Sequence, residues 1–256
     1  MKYFFFDIDG TLSDTRDGKF NIPDSTKLAL KLLKENGHFI AISTGRGASI
    51  AMPLLDELGF DNMVSDGGNG IVIDKKIVEI APIDKDLVCE VVKECESLGY
   101  AWALQDELAY KRKSDPKNYE YWKNVNDAYK NIPIENYRPE NCKQIYKGFV
   151  GCQRGLEEKM ESLKKIDWVR FRDDYLFVEP CNKAFGIKKM VDYLHGDYKD
   201  VVVFGDEKND LSMFIDEWMK IAMGNAIDEL KQKADYITDD VTHDGIYNAC
   251  KKFGWI

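Results

Sequence analysis

The chain has 256 residues, 44% of them hydrophobic and 32% charged, a composition typical of a globular protein with one large domain or two smaller ones. Its formal net charge of -9 disfavours general binding to nucleic acid or anionic lipid, because both are bound through clustered lysine and arginine. No apolar segment approaches the roughly 20 residues that a membrane span requires, and the N-terminal YFFF is too short for a signal peptide. We therefore expect a cytoplasmic location.

The first part of the chain alternates apolar strands with helices. Continuously apolar runs predict strands buried on both faces at YFFF (3 to 6) and FIAIS (39 to 43). Between them, DSTKLALKLLKENG has leucines at helical spacing, with Asp24 or Ser25 as the N-cap. A second helix is predicted from about 47 to 58. These elements form a strand, helix, strand unit.

The middle of the chain follows another pattern. A predicted helix, DKDLVCEVVKECESLG, precedes short segments that alternate apolar and polar residues, which predicts a half-exposed, largely antiparallel sheet backed by helices. Pro82 and Pro180 mark the ends of this region, as expected for linkers around an inserted domain, although two ordinary turns would also explain them. We predict a discontinuous core over 1–83 and 181–256, and an inserted α/β domain over 84–180.

The first pattern returns near the end of the chain. KAFGIKKMVDYL and NDLSMFIDEW predict helices on either side of the strand VVVFG (201 to 205), and MKIAM and YIT predict weaker strands. Alternating strands and helices predict an α/β fold, in which a parallel sheet is covered by helices on both faces.

Four polar clusters follow predicted strands or the second linker. In open parallel sheets, ligands bind beyond the carboxyl ends of the strands, so we expect the clusters to meet at one edge. In chain order they are Asp7 with Asp9; Ser43, Thr44, Gly45 and Arg46; Lys183; and Asp206, Asn209 and Asp210.

The first two clusters offer groups for phosphate chemistry. A carboxylate can attack phosphorus, so one of Asp7 and Asp9 could form an aspartyl-phosphate while the other transfers protons. Thr44 and the backbone N–H groups around Gly45, at the start of a helix, form a donor set that suits a phosphate.

The other two clusters indicate a metal. Lys183 supplies one cation, which cannot offset the repulsion among Asp7, Asp206 and a phosphate dianion, since each pair of charges about 4 Å apart costs roughly 4 kcal/mol at a dielectric of 20. A hard divalent cation can, and Mg2+ is the usual partner of a carboxylate pair and a substrate phosphate. Asp206 and Asp210 could hold the metal by direct coordination and by hydrogen bonds to groups that coordinate it.

Each cluster also has an ordinary explanation. DIDGT could be an acidic turn or a helix cap, STGR and GDEKND could be turns into capped helices, and Lys183 could be a solvated lysine. The order and spacing of all four clusters favour a single site.

FFFDIDGTL, STGR, NKAFGI and GDEKND resemble, in order, the four motifs of the haloacid dehalogenase (HAD) superfamily of phosphohydrolases, and the arrangement is similar to its Cof-type branch with a type IIB cap. SDGGNG, AMGNAIDELKQKADYIT and HDGIYNA are similar too. The resemblance covers the core, and the middle is alike in size and position only. It implies a Rossmann-like parallel sheet core with an α+β cap domain inserted between the second and third motifs.

The resemblance also implies a role for each matched residue. Asp7 would be the nucleophile, and Asp9 the general acid and base, with its backbone carbonyl on Mg2+. The implied phosphate ligands are Thr44, Gly45, Lys183 and Asn209; the implied metal site contains Asp7, Asp9, Asp206 and Asp210; and Arg46 is a candidate substrate ligand.

The motifs leave three functional classes open for this protein. The first is an Mg2+-dependent phosphatase of small metabolites such as sugar phosphates or nucleotide-like cofactors, working as a monomer or weak homo-oligomer. It is favoured over an ion pump because Asp9 can protonate a leaving alcohol and then activate water. The alternatives are a phosphomutase or phosphotransferase of the phosphomannomutase type, and a non-catalytic binding protein.

The inserted region contains the aromatic-rich segment KNYEYWKNVNDAYKNIPIENYR. Its rings could stack on a flat ring or a sugar of the substrate, or they could pack against the sheet of the same domain.

Overall fold

The structure is a computed structural model, and it describes residues 1–14, 16, 21–106, 112–125, 134–136, 138–170 and 172–256. The chain divides into two compact units. The core unit comprises Met1–Glu79 and Asn182–Ile256, and the inserted unit comprises Ile80–Cys181. Among the described residues, no helix is long and apolar enough to cross a membrane.

The strands, in chain order, are β1 Tyr3–Phe6, β2 Phe39–Ser43, β3 Met63–Ser65, β4 Gly70–Ile73, β5 Lys76–Ile80, β6 Ala101–Gln105, β7 Arg112–Ser114, β8 Ile134–Asn136, β9 Lys147–Gly151, β10 Trp168–Arg170, β11 Tyr175–Val178, β12 Val201–Gly205, β13 Met219–Ala222 and β14 Tyr236–Ile237.

The α-helices are α1 Asp24–Glu35, α2 Ala48–Leu58, α3 Lys85–Leu98, α4 Tyr119–Asn124, α5 Lys183–Tyr193, α6 Asp228–Lys233 and α7 Gly245–Lys252. Short 3-10 helices span Asp66–Gly68, Pro116–Asn118, Pro139–Asn141, Leu156–Lys159, Ser162–Lys164, Tyr198–Asp200, Lys208–Met213 and Val241–His243.

The core unit is built on one sheet, with the strand order β14-β13-β12-β1-β2-β3-β4-β5. β1 lies at its centre and pairs in parallel with β12 and β2, so that Phe5 faces Val203 on one side and Ala41 on the other. The three phenylalanines of β1 are fully buried, as expected for a strand covered on both faces. The predicted α/β fold is confirmed: the strands from β14 to β3 pair in parallel, and β4 pairs antiparallel with β3. The chain leaves the buried centre of this sheet at Asp7.

Two predicted helix features of the core unit are wrong in detail. α1 begins at Asp24, after Pro23, and has no side-chain N-cap, so neither Asp24 nor Ser25 caps it. Proline fixes φ in the helical range and lacks an N–H, which makes it a suitable residue at a helix start. The segment NDLSMFIDEW forms a 3-10 helix, Lys208–Met213, and no α-helix.

The inserted unit contains a six-stranded sheet, with the order β10-β11-β9-β6-β7-β8, in which only the β7 and β8 pair is parallel among the described pairings. α3 covers one face, where Val88, Val91 and Val92 join a buried cluster with Trp102 and Val150. The predicted largely antiparallel sheet backed by a helix is therefore observed.

The expectation that the opposite face is exposed is wrong. Trp122 of α4 is fully buried, and its ring centre lies 6.1 Å from those of Phe149 and Tyr175 on that face. Of the aromatic-rich segment, Trp122 therefore packs against the sheet of its own unit, whereas Tyr119 is 44% exposed. Tyr129 and Tyr137 of the same segment lie outside the described residues.

Replacing Gly186 of α5 with alanine is expected to destabilise the core unit by about 1–3 kcal/mol. An alanine in a helix normally stabilises it relative to glycine by roughly 0.5–1 kcal/mol. Here the added Cβ would lie 2.4 Å from a methyl of Val64 and 2.6 Å from the backbone oxygen of Gly68. Urea denaturation measures the change. The control Tyr193→Ala, at an exposed position of α5, should change stability by less than about 0.5 kcal/mol, and a stabilised Gly186→Ala variant would contradict the packing.

Candidate active site

The site begins where β1 ends. The Asp7 N–H donates to the Phe204 carbonyl at 3.1 Å, which continues the parallel pairing with β12 by one residue and brings the loop after β12 beside Asp7. The Asp7 side chain is buried. A carboxylate is therefore held at the carboxyl edge of the sheet, where ligands bind in folds of this kind.

Gly10 turns the chain away from this edge. Its φ is +89°, in the left-handed region, and a Cβ on it would lie 2.0 Å from Oδ2 of Asp206. Only glycine combines this conformation with so close an approach. The turn after Asp9 consequently packs directly against the Asp206 carboxylate.

Lys183, the first residue of α5, joins two carboxylates. Its buried Nζ donates to Oδ1 of Asp7 and to Oδ1 of Asp210, both at 2.6 Å. The other oxygen of Asp210, Oδ2, accepts the backbone N–H groups of Asp206 at 2.9 Å and Glu207 at 3.1 Å. Asp210 therefore fixes both the ammonium group and the loop that carries Asp206.

The carboxylates of Asp7, Asp206 and Asp210 form a cluster in which one oxygen of each lies within 4.8 Å of the others. Burial, and then the charge of Asp210, raise the pKa of Asp7 to about 7, against the lowering effect of Lys183. Burial, and then Asp7 and Asp210, raise the pKa of Asp206 to about 8. Burial works to lower the pKa of Lys183, but Asp210 and Asp7 raise it overall, so this lysine stays charged.

The cluster fits a hard divalent cation. Of the three crowded carboxylates, Asp7 and Asp210 share one ammonium group, and no lysine or arginine of the described residues forms an ion pair with Asp206. Carboxylate oxygens are the ligands that Mg2+ prefers, and a cation here would offset the remaining charge.

The second cluster lies on the strand beside Asp7. Thr44 follows β2, and its hydroxyl oxygen accepts the Arg46 N–H at 3.1 Å, so the hydroxyl keeps its own proton for donation. Nη2 of Arg46 reaches both carboxylate oxygens of Asp9, at 3.0 and 2.7 Å. Asp9 thus turns toward Arg46 at the surface, whereas Asp7 stays buried.

The two remaining predicted residues are open to solvent. A Cβ on Gly45 would meet no atom within 4 Å, so this glycine borders free space. Asn209 is exposed in the first turn of the 3-10 helix, next to the buried Asp210. Both lie at the sheet edge that carries the other clusters.

Three residues that shape the site have no role in the predictions from the sequence. Thr11 donates to Oδ1 of Asp206 at 3.0 Å, and Asn225 donates to its Oδ2 at 3.4 Å. Asp66, at φ 52°, accepts the Ala48 N–H at 3.0 Å and so supports the loop that carries Thr44 and Arg46. In the sequence, these three residues lie in the stretches DGT, AMGNA and SDGGNG, and the similarity of those stretches to family motifs could have indicated them.

Comparison with known proteins gives the family. The model of the haloacid dehalogenase-like hydrolases matches residues 4–250. The chain is 31% identical over 257 residues to YkrA, a candidate phosphatase of Bacillus subtilis (strain 168), covering 99% of this chain and 98% of the relative. It is 24% identical over 265 residues to YitU of the same organism, named a 5-amino-6-(5-phospho-D-ribitylamino)uracil phosphatase, covering 96% and 95%.

A solved structure agrees with these relatives. The HAD subclass IIB sugar phosphatase BT4131 superposes with a TM-score of 0.78 at 26% identity, with full coverage of both chains. The chain belongs to the haloacid dehalogenase-like hydrolase family. Within that family it is an enzyme of the phosphatase type, with the cap-bearing fold of the Cof-type branch.

Replacing Lys183 with methionine is expected to lower the free energy of unfolding by about 3–5 kcal/mol at pH 8, because Asp7 and Asp210 lose their shared counter-charge. The decrease in the free energy of unfolding should be smaller at pH 5.5. Folding raises the pKa of Asp7 to about 7, so its protonated form favours the fold at low pH, and that contribution is lost as the pH rises through 7. Urea denaturation without divalent cations measures both values.

Lys188→Met is the matched control, since this lysine lies on the same helix in a partly exposed ion pair with Glu217. It should cost less than about 1 kcal/mol at either pH. A Lys183→Met variant whose loss is the same at both pH values would contradict the charge balance described for the cluster.

Proposed function

We propose that this protein is an Mg2+-dependent phosphohydrolase that releases phosphate from small phosphorylated metabolites through an aspartyl-phosphate on Asp7. The observation that carries the proposal is the buried Asp7 carboxylate, fixed by Lys183 at 2.6 Å within 4.8 Å of two further carboxylates. Such an arrangement holds a nucleophile rigidly and offers carboxylate ligands for a cation beside the place where a phosphoryl group would be transferred.

Asp7 is suited to attack. Lys183 holds its Oδ1, and within the described residues no hydrogen bond reaches Oδ2, so Oδ2 is the proposed nucleophile. A bond forms between Oδ2 and phosphorus while the bond from phosphorus to the leaving oxygen breaks. Thr44 would donate its hydroxyl proton in a hydrogen bond to a phosphoryl oxygen, and Gly45 and Asn209 would add donors on the open side.

Asp9 is the proposed general acid and base. In the first step its carboxyl proton passes to the leaving alkoxide oxygen. In the second step the carboxylate takes a proton from water, water oxygen bonds to phosphorus, and the Asp7–phosphorus bond breaks. Arg46 now holds Asp9 at 2.7 Å, and we propose that it orients this carboxylate and contacts the substrate.

Asp7 and Asp206 are the side chains proposed to hold Mg2+, together with the backbone carbonyl of Asp9. When bound, the ion would neutralise charge on the phosphoryl group as it is transferred. Both oxygens of Asp210 are already bound, one by Lys183 and one by two N–H groups, which favours a supporting role over direct coordination.

The inserted unit is proposed to act as the cap domain and to select the substrate, because the residues assigned to phosphoryl transfer all belong to the core unit. Named relatives act on a ribitylaminouracil phosphate, and BT4131 is a sugar phosphatase. We therefore propose phosphate monoesters of sugars or of nucleotide-like cofactors as substrates. Phosphate release from a panel of both kinds tests this proposal, and preferential transfer to a sugar acceptor would instead indicate a mutase.

Asp7→Asn should reduce hydrolysis of p-nitrophenyl phosphate with Mg2+ to background, because an amide cannot form the covalent intermediate. Asp9→Asn should lower kcat by roughly 10²–10⁴-fold through loss of proton transfer. Asp56→Asn, at an exposed aspartate that forms an ion pair with Lys75 at the surface, is the control and should keep full activity. Sustained turnover by Asp7→Asn would refute the proposed nucleophile.

Mg2+ should raise the melting temperature of the protein, and the rise should be larger at pH 8.5 than at pH 6. Without a cation the pKa of Asp7 is about 7 and that of Asp206 about 8, so at pH 6 the ion must displace protons, whereas at pH 8.5 both groups are ionised. Thermal unfolding at matched ionic strength measures the shift. Asp206→Asn should lose most of it, and a shift that is equal at both pH values would contradict cation binding at this cluster.

A further inference from the structure

Asn225 connects three segments of the core unit at the proposed metal site. It follows β13 in the stretch AMGNA, to which the proposed reaction gives no role. Its Nδ2 donates to the Gly10 carbonyl at 2.8 Å and to Oδ2 of Asp206 at 3.4 Å, and its Oδ1 accepts the Val241 N–H at 3.0 Å. One carboxamide thus joins the loops that follow β1, β12 and β14.

Asp206 differs from the other two carboxylates of the cluster in the kind of group that holds it. Asp7 and Asp210 share the Lys183 ammonium. Asp206 receives only neutral side-chain donors, with the buried Thr11 hydroxyl on Oδ1 and the Asn225 amide on Oδ2. In the part of the chain that the structure describes, no lysine or arginine forms an ion pair with it.

Neutral donors suit a carboxylate that has to bind a cation. They fix the rotation of the carboxyl group and occupy one lone pair on each oxygen, while the negative charge stays uncompensated. A lysine or arginine in place of Asn225 would fix the group equally well, but it would supply the charge that the metal would otherwise supply. An apolar residue would remove the donor to Oδ2 and leave Thr11 as the one side-chain donor to this carboxylate among the described residues.

We propose that Asn225, with Thr11, is a positioning residue of the metal site: it sets the orientation of the Asp206 carboxylate and pins the Gly10 turn beside it. The inference rests on the proposed Mg2+ requirement and adds to it the residues that set Mg2+ affinity. Because Asn225 bonds to the Gly10 carbonyl and to Asp206 with the same amide nitrogen, it fixes the two loops relative to each other.

Two assays test the proposal. The first is the Mg2+ concentration that gives half-maximal phosphatase activity, and the second is the Mg2+-induced rise in melting temperature, which needs no turnover. Asn225→Ala should increase the half-maximal Mg2+ concentration by about 10–100-fold, the usual effect of removing a group that orients a metal ligand. Its Mg2+-induced rise in melting temperature should also fall well below that of the unchanged protein at equal Mg2+.

Asn248→Ala is the matched control. Asn248, in α7, also donates from its amide, to Asp239 and to the His243 carbonyl on either side of Val241. Among the described residues it forms no hydrogen bond with Asp206 or Gly10. This variant should keep the Mg2+ concentration dependence of the unchanged protein. If Asn225→Ala and Asn248→Ala lose similar stability without Mg2+ and neither changes the Mg2+ dependence, Asn225 is only a tether between loops and the inference is overturned.

Thr11 provides a second route if Asn225→Ala does not fold. Thr11→Val removes the donor to Oδ1 of Asp206 while keeping the shape of the side chain, and Thr11→Ser restores the hydroxyl. The inference requires a raised half-maximal Mg2+ concentration in the valine variant and recovery in the serine variant, and unchanged values in the valine variant would overturn it. Different results would refute the proposed Mg2+-dependent phosphohydrolase activity: an active Asp7→Asn variant, or no effect of Mg2+ on the unchanged protein.

Discussion

The buried ammonium group of Lys183 between Asp7 and Asp210 is the interaction on which the site depends. Three carboxylates within 4.8 Å would repel one another strongly in a buried place, and among the described residues this lysine is the one cation that forms an ion pair with any of them. The compensation is incomplete, since no lysine or arginine of the described residues pairs with Asp206, and burial, together with the charges of Asp7 and Asp210, raises the pKa of Asp206 to about 8. The same deficit of positive charge makes the cluster suitable for a cation and a phosphate together.

The short 3-10 helix Asp66–Gly68 connects the segment that carries Lys183 with the turn that carries Thr44 and Arg46. The Asn182 N–H donates to the Gly67 carbonyl at 2.9 Å, and a Cβ on Gly68 would lie 2.1 Å from the Asn182 oxygen, so the 3-10 helix packs closely against the start of α5 that carries Lys183. On its other side, the Asp66 N–H donates to the Arg46 carbonyl at 2.9 Å. This short segment thereby fixes the start of α5 and the turn that holds Thr44, which explains the close-packed Gly68.

Sequence patterns predicted the core sheet and the edge at which the polar clusters meet, because Phe4, Phe5 and Phe6 form a continuous apolar run that ends abruptly at Asp7. They did not predict the second buried face of the inserted sheet, since the residue that covers it, Trp122, comes from a short helix with no apolar repeat. The hydrogen bonds of Asn225 were also beyond prediction. An asparagine after a strand is typical of a turn, and its partners lie far away in the chain.

Asp7 and Asp9, at positions 7 and 9, have opposite environments, and this difference bears on the roles of nucleophile and of acid and base that we propose for them. Asp7 is buried against a lysine that cannot leave it, as a nucleophile requires, because a misplaced attacking oxygen loses the benefit of proximity. The Asp9 side chain is 47% exposed, and its partner Arg46 is 35% exposed, so both can move without leaving a buried charge unpaired. A group that gives a proton to a leaving oxygen and later takes one from water has to reach two positions. The burial of one carboxylate and the exposure of the other therefore fit a fixed nucleophile beside a movable acid and base.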